Sequence, residues 1–142
     1  MRKIMSCGVL IVQGDPIERF LLMEHAKRLD LPKGHVDKGE TELECALREL
    51  EEETAITSAD IELVDGFRFT HKYSVFPKKF KREECKKTLV VFLGRLLHDV
   101  EIVVTEHEGF RWVDWDPPHR IQKQTIDPLL SELHEYLQAA HE

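Results

Sequence analysis

The sequence predicts an α/β fold, and three observations predict it. Short apolar runs rich in Val, Ile, Leu and Phe recur through most of the chain. Two segments carry the apolar stripe of an amphipathic helix, and the two patterns mix along the chain instead of separating into blocks. With 142 residues, 42% hydrophobic and 33% charged, the chain fits one globular domain, 1–142, with one expected site. It contains neither the apolar poverty of a disordered chain nor an uncharged run long enough to span a bilayer.

Each element has its own local reason. Val9 to Val12 and Phe20 to Met23 are continuous apolar runs separated by Gln13-Gly14-Asp15-Pro16, whose glycine and proline punctuate a turn, so the chain opens with a hairpin. From Thr41 to Glu53 there is neither Gly nor Pro, and Leu43, Ala46, Leu47 and Leu50 recur at helical steps. Thr41 followed by Glu44 fits a capping box at the start of that helix. Strands are expected at Ile61 to Val64, Phe67 to Phe69 and Lys87 to Leu97, the last carrying a run from Leu89 to Leu93 that suits a central strand covered on both faces. The polar stretch from Pro77 to Lys86 reads as a basic loop, and Phe110 to Trp115 as a short strand. After Pro117-Pro118 a final helix is expected, with Asp127 as its cap, Pro128 in its first position, and Leu129, Leu130, Leu133, Tyr136 and Leu137 as its buried stripe.

Charge and cysteine usage narrow the function class. Twenty Lys and Arg against 27 Asp and Glu give a net charge of −7, which disfavours non-specific attachment to DNA or to anionic lipid. Cys7, Cys45 and Cys85 lie far apart without a CxxC pair, so a zinc knuckle or disulfide scaffold is not expected. The apolar run near the N-terminus ends at Gln13 and Asp15, too short for a secretory signal or an anchor. These features read as a reduced, cytoplasmic protein.

The stretch from Gly34 to Ile56 carries the chemistry. On the helix from Thr41 to Glu53, Glu49, Glu52 and Glu53 stand at i, i+3 and i+4, so helical geometry gathers three carboxylates on one face, opposite the leucine stripe. Like charges at that spacing repel by a few tenths of a kcal/mol per pair. Taken alone, such a run reads as a solvated acidic face. A divalent cation would remove the repulsion, and carboxylate oxygens without nearby imidazole or thiolate point to Mg²⁺ or Mn²⁺ rather than zinc.

The whole string GHVDKGETELECALRELEEETAI resembles the Nudix box, through Gly34, Glu40, Arg48, Glu49, Leu50, Glu52, Glu53 and Ile56 at the family's spacing. Ala55 stands where that family has glycine, and alanine in a left-handed helix cap costs roughly 1 kcal/mol. The resemblance implies a mixed sheet sandwiched between helices and a Mg²⁺-dependent hydrolase of nucleoside diphosphates linked to another group. It implies that Glu49, Glu52 and Glu53 are metal ligands, completed by the backbone carbonyl of Lys33, and that Arg48 pairs with the box carboxylates. It gives Glu40 a supporting role. A carboxylate takes the proton of the attacking water, with Glu49 and Glu106 as the two candidates.

Outside the box, Leu31-Pro32-Lys33-Gly34-His35-Val36 and Thr105 to Trp112 are similar to the diadenosine tetraphosphate hydrolase branch. That similarity implies a metal-directed Glu106, a base-stacking Tyr73 and a phosphate-binding Lys87; read without it, Tyr73 is a half-buried strand aromatic and Glu106-His107 a charged turn. His35 follows the phosphate-side glycine and is a candidate phosphate donor, whereas Trp112 and Trp115 read as core. Lys78, Lys79, Lys81, Arg82, Lys86 and Lys87 bring six positive charges into ten residues of an acidic protein. A polyanionic substrate held by Lys79, Lys81, Arg82 and Lys87 accounts for them; a solvated hairpin tip is the plainer account.

The expected activity is hydrolysis of a dinucleoside polyphosphate, diadenosine tetraphosphate to ATP and AMP. The same glutamates would serve an RNA 5′-pyrophosphohydrolase or a diphosphoinositol polyphosphate phosphohydrolase. A reading of another class is a catalytically idle nucleotide sensor, against which the intact carboxylate set argues.

Overall fold

Val9 and Ile11 point to one face of a strand and Leu10 and Val12 to the other, and all four are fully buried, so this strand must be covered on both sides. A computed structural model, which describes residues 1–140, shows what covers it. The elements run β1 (Arg2–Gln13), β2 (Arg19–His25), β3 (Arg28–Asp30), β4 (Lys33–His35), α1 (Glu42–Thr54), β5 (Ile61–Val75), β6 (Cys85–Leu96), β7 (Gly109–Asp114) and α2 (Ile126–Ala140). The seven strands form one mixed sheet: β1 runs parallel to β6, β6 antiparallel to β5, and β2 joins β1, β3 and β7. Cys7, Val9, Ile11, Leu21, Met23 and Val90 meet Cys45, Ala46 and Leu50 of α1. Leu10, Val12, Phe20, Leu22, Leu89 and Val91 meet Leu129, Leu130 and Leu133 of α2. Each such aliphatic side chain contributes about 1.5–3 kcal/mol by leaving water, which makes the two-faced sheet the stable arrangement of these strands. The sandwich of a mixed sheet between helices is the expected fold. No helix among the described residues is long and apolar enough to cross a membrane.

Helix α1 begins as read: Thr41 Oγ1 accepts from the Glu44 amide at 3.1 Å, and Glu44 Oε1 accepts from the Thr41 amide at 2.9 Å. It ends on Ala55, which is left-handed at φ 67° and donates its N–H to the Glu51 carbonyl. Two expectations need correction. The segments 61–64 and 67–69 belong to one strand, β5, because the polar Asp65-Gly66 break is a bulge and not a turn. Gly66 adopts φ 83° there, and Tyr136 of α2 donates its hydroxyl to the Asp65 carbonyl at 2.8 Å. Asp127 is not the cap of α2 but lies inside its first turn, where its Oδ1 accepts from the amides of Ile121 and Gln122. Gln122 does the capping, its Oε1 accepting from the amides of Thr125 and Ile126. Pro128 also sits in that first turn, where a missing N–H costs nothing.

The three-residue β4 positions the site. It pairs with β1 through Ser6 and His35, Cys7 and Gly34, Gly8 and Lys33. Alternation then sends Lys33 and His35 to the α2 side of the sheet and Gly34 to the α1 side.

Candidate active site

On the α1 side, Gly34 lies directly over Glu49. A Cβ added to Gly34 would come within 2.2 Å of that carboxylate, so only glycine lets β4 rest on it. Arg48 gathers the surrounding acids. Its Nε and Nη2 fork onto both oxygens of Glu40 at 2.6 and 3.0 Å, its Nη1 reaches Glu49 at 2.9 Å and Glu52 at 3.2 Å, and its Nη2 also donates to the His35 carbonyl at 3.0 Å. The guanidinium, with the Asp37 amide, holds the Glu40 carboxyl down to about 2.

The acidic face differs from the solvated surface that a helical wheel suggests. Glu52 is exposed, but Glu49 and Glu53 are buried, Glu53 at 1% exposure. The loop leading to β7 covers them: the Val103 amide donates to the Thr54 carbonyl at 3.0 Å, and Thr105 Oγ1 donates to the Glu52 carbonyl at 2.7 Å. That docking sets His107 Nε2 at 2.5 Å from Glu53 Oε1 and brings Glu106 close enough to act on both buried acids. Burial first, then the charges of Glu49 and Glu106, push the Glu53 carboxyl up to about 8. Burial likewise raises Glu49 and lowers His107.

Among the described residues no three His, Cys, Asp or Glu side chains form a ready ligand set, since Glu49 faces Arg48 and Glu53 faces His107. The donors nonetheless suit a hard divalent cation. Glu53 Oε2 is buried without a hydrogen-bond partner, Glu49 and Glu106 stand near enough to raise its pKa, and the Lys33 backbone lies against it. Carboxylates that repel one another in a buried place are what such an ion relieves.

On the α2 side, cross-strand rows build a groove. Ile4, Lys87 and Tyr73 stand side by side on β1, β6 and β5, and the next row is His35, Ser6, Leu89 and His71. The groove measures about 660 Å³, its cationic lining comes from Arg28, Lys78, Lys79 and Lys87, and the His35 imidazole lies among them. Burial, then Lys33, pulls Lys87 down to about 8, and burial, then Lys87, Lys79 and Lys33, lowers His35. Of the residues singled out from sequence, His35, Lys79 and Lys87 meet at this groove, with Tyr73 in the row beside Lys87. Lys81 and Arg82 are exposed and do not line it. Trp112 and Trp115 pack against the two cores, as read.

Sequence reasoning missed Arg28 and Asp30 and read His107 only as part of a charged turn, whereas Lys78 belongs to the basic run already singled out. Asp30 is buried at 6% exposure, accepts from the Leu31 amide at 2.8 Å, and lies 3.4 Å from Lys33 Nζ and 3.9 Å from Arg28. The proximity of these residues to the site depends on loop docking and on a strand of three residues, for which no periodic signal exists.

A family model described as NUDIX domain matches residues 3–136. The chain is 32% identical to the asymmetrical bis(5'-nucleosyl)-tetraphosphatase of Rattus norvegicus, a match covering 93% of this chain and 94% of the relative. It is also 32% identical to the RNA pyrophosphohydrolase of Halorhodospira halophila, over 94% of this chain and 81% of the relative. Among solved structures it is similar to the Ap4A hydrolase of C. elegans in a binary complex, with a TM-score of 0.79 and 25% identity, covering 96% of this chain and 98% of the other.

Proposed function

Because the chain belongs to the Nudix family, we propose that residues 1–142 form one Mg²⁺-dependent pyrophosphohydrolase domain that cleaves dinucleoside polyphosphates, diadenosine tetraphosphate to ATP and AMP. The observation that carries this reading is the division of labour across β4: buried carboxylates that repel one another on one side, and a cationic groove for a polyanion on the other.

In this reading Glu49, Glu52, Glu53 and Glu106, with the Lys33 carbonyl, hold Mg²⁺, which Mn²⁺ can replace. When bound there, the cation screens the phosphate charge and polarises the phosphoryl group. The rest falls to the chain's own groups. Lys87, Lys79 and His35 hold the phosphate chain, which the groove orients before reaction. Arg48 fixes the rotamer of Glu49, and Glu49 or Glu106 takes a proton from the attacking water. Water adds to the phosphorus nearest one nucleoside, the bond from that phosphorus to its bridging oxygen breaks, and the bridging oxygen departs with ATP.

Cleavage in oxygen-18 water tests this. Diadenosine tetraphosphate gives ATP and AMP with the label in AMP; two molecules of ADP refute the positioning. The similarity to an RNA pyrophosphohydrolase favours one second reading, a triphosphorylated RNA 5′ end. Rapid pyrophosphate release from such an RNA, with no cleavage of the dinucleotide, would establish it in place of the first.

A further inference from the structure

We propose that His107 is a positioning residue of the cation site: its imidazole holds one oxygen of the Glu53 carboxylate and so leaves the other, Oε2, turned to a divalent cation. The inference rests on the reading of Glu53 as a metal ligand. It gives a role to a side chain that itself touches neither the cation nor the substrate.

The chemistry of the pair fixes which imidazole nitrogen carries the proton. A carboxylate that binds a cation is ionised and only accepts, so Nε2, 2.5 Å from Oε1, is the donor. Nδ1 is then the bare nitrogen. It is sealed from water with no partner, and a buried N–H without an acceptor would be the rarer defect. An imidazole in this tautomer is uncharged, so it supports the acid without repelling the ion, whereas the Arg48 guanidinium brings a full positive charge to Glu49. The terminal torsion of glutamate is otherwise broad. With Oε1 taken, Glu53 presents its buried, unpartnered Oε2 in one direction only.

His107 is a fixed support because the chain is tied down on both sides of it. Before it, the Val103 amide donates to the Thr54 carbonyl and Thr105 Oγ1 to the Glu52 carbonyl, the two residues that flank Glu53 on α1. After it, the Glu108 amide donates to the Glu24 carbonyl of β2 at 2.9 Å. The ring itself packs edge to face on His25 at the end of β2, with centroids 5.8 Å apart at 71°, and its side chain is only 8% exposed. The loop thus bridges α1 and β2, and the imidazole has one place to stand.

Binding of Mn²⁺, followed through the electron paramagnetic resonance signal of the free ion, tests the role without turnover. In His107→Gln the side-chain amide donates from the place of Nε2; in His107→Asn it falls short by one methylene. His107→Asn should weaken Mn²⁺ binding by about 10- to 100-fold, the range for loss of a group that orients a metal ligand, while His107→Gln stays within about threefold of the wild type. His107→Leu, which fills the space without donating, should match His107→Asn. In a Glu53→Gln background His107→Asn should cost no more than about twofold further, because the group it supports is gone. Turnover measured across the same cycle should show the same coupling. The role is overturned if His107→Asn and His107→Leu bind Mn²⁺ as the wild type does, if His107→Gln loses as much as His107→Asn, or if the loss persists undiminished in Glu53→Gln. A wild type that binds no Mn²⁺ would instead overturn the metal reading of Glu53, and this role with it.

Discussion

Glu53 and His107 form a buried pair, Oε1 to Nε2 at 2.5 Å, and each keeps its other polar atom, Oε2 and Nδ1, sealed from water without a partner. A carboxylate so placed is half satisfied, and an unmet buried oxygen costs about 1–3 kcal/mol. The arrangement becomes favourable when a cation takes the free oxygen.

Glu53→Gln should therefore lower turnover by at least about a hundredfold. Its melting temperature in chelator should be equal to or above that of the wild type, because a neutral amide replaces a buried acid. Added Mg²⁺ should stabilise the wild type more than the variant. Glu51→Gln, at an exposed position of the same helix, should change neither property. Full activity of Glu53→Gln in saturating Mg²⁺ would remove Glu53 from the ligand set.

Gly34→Ala tests the close approach of β4 to α1. The new methyl group meets the far end of a flexible side chain, so the Glu49 carboxylate moves and the backbone does not. We expect a fall in activity of at least about tenfold with a melting temperature within about 3 °C of wild type, in keeping with a small change in packing. Kinetics paired with a thermal melt would check it; a large loss of stability with normal specific activity would contradict it.

Lys87 supplies the pH dependence. Its ammonium is held down to about 8 by burial and by Lys33, against an ordinary value of 10.5. The folded protein thus releases this proton before the unfolded chain does, and between about pH 8 and 10.5 the unfolded state binds more protons, so this group makes stability rise with pH across that window. Substrate affinity moves the other way, because the cation fades as pH passes 8. KM should rise from pH 7 to 9 in the wild type, stay flatter in Lys87→Arg, and start high without that step in Lys87→Gln. Parallel KM profiles for the wild type and Lys87→Arg would take Lys87 out of phosphate binding.

Ala55→Gly should stabilise the protein by about 1 kcal/mol, since alanine there holds φ 67°. That corresponds to roughly 4 °C in melting temperature. No change in melting temperature would mean that the loop after α1 relaxes around alanine.

Both helices and the first hairpin were legible because each rests on a repeating pattern and a punctuated end. Thr41 with Glu44 marks the start of α1, and Leu129, Leu130 and Leu133 mark the buried stripe of α2. The division of β5 at Asp65-Gly66 was misread because a bulge and a turn use the same residues. The spacing of Glu49, Glu52 and Glu53 was plain, yet their burial was not, since it comes from Gly34 on one side and the Val103 to His107 segment on the other. His107 lies 54 residues from Glu53, and local pattern carries no information over that distance. The groove was legible only as an excess of lysine; which lysines face it depends on the turn after Pro77.

The pleat of β4 has a consequence for how such a protein can change. Neighbouring positions serve different ends: Gly34 meets the acids, while His35 lines the cationic groove on the other face. Side-chain changes at 35, or on the facing rows of β5 and β6, therefore alter the groove and leave the carboxylates beneath Gly34 in place. A change at 34 strikes those carboxylates. The face that a ligand would meet and the face that carries the acids are thus free to vary one residue at a time and separately.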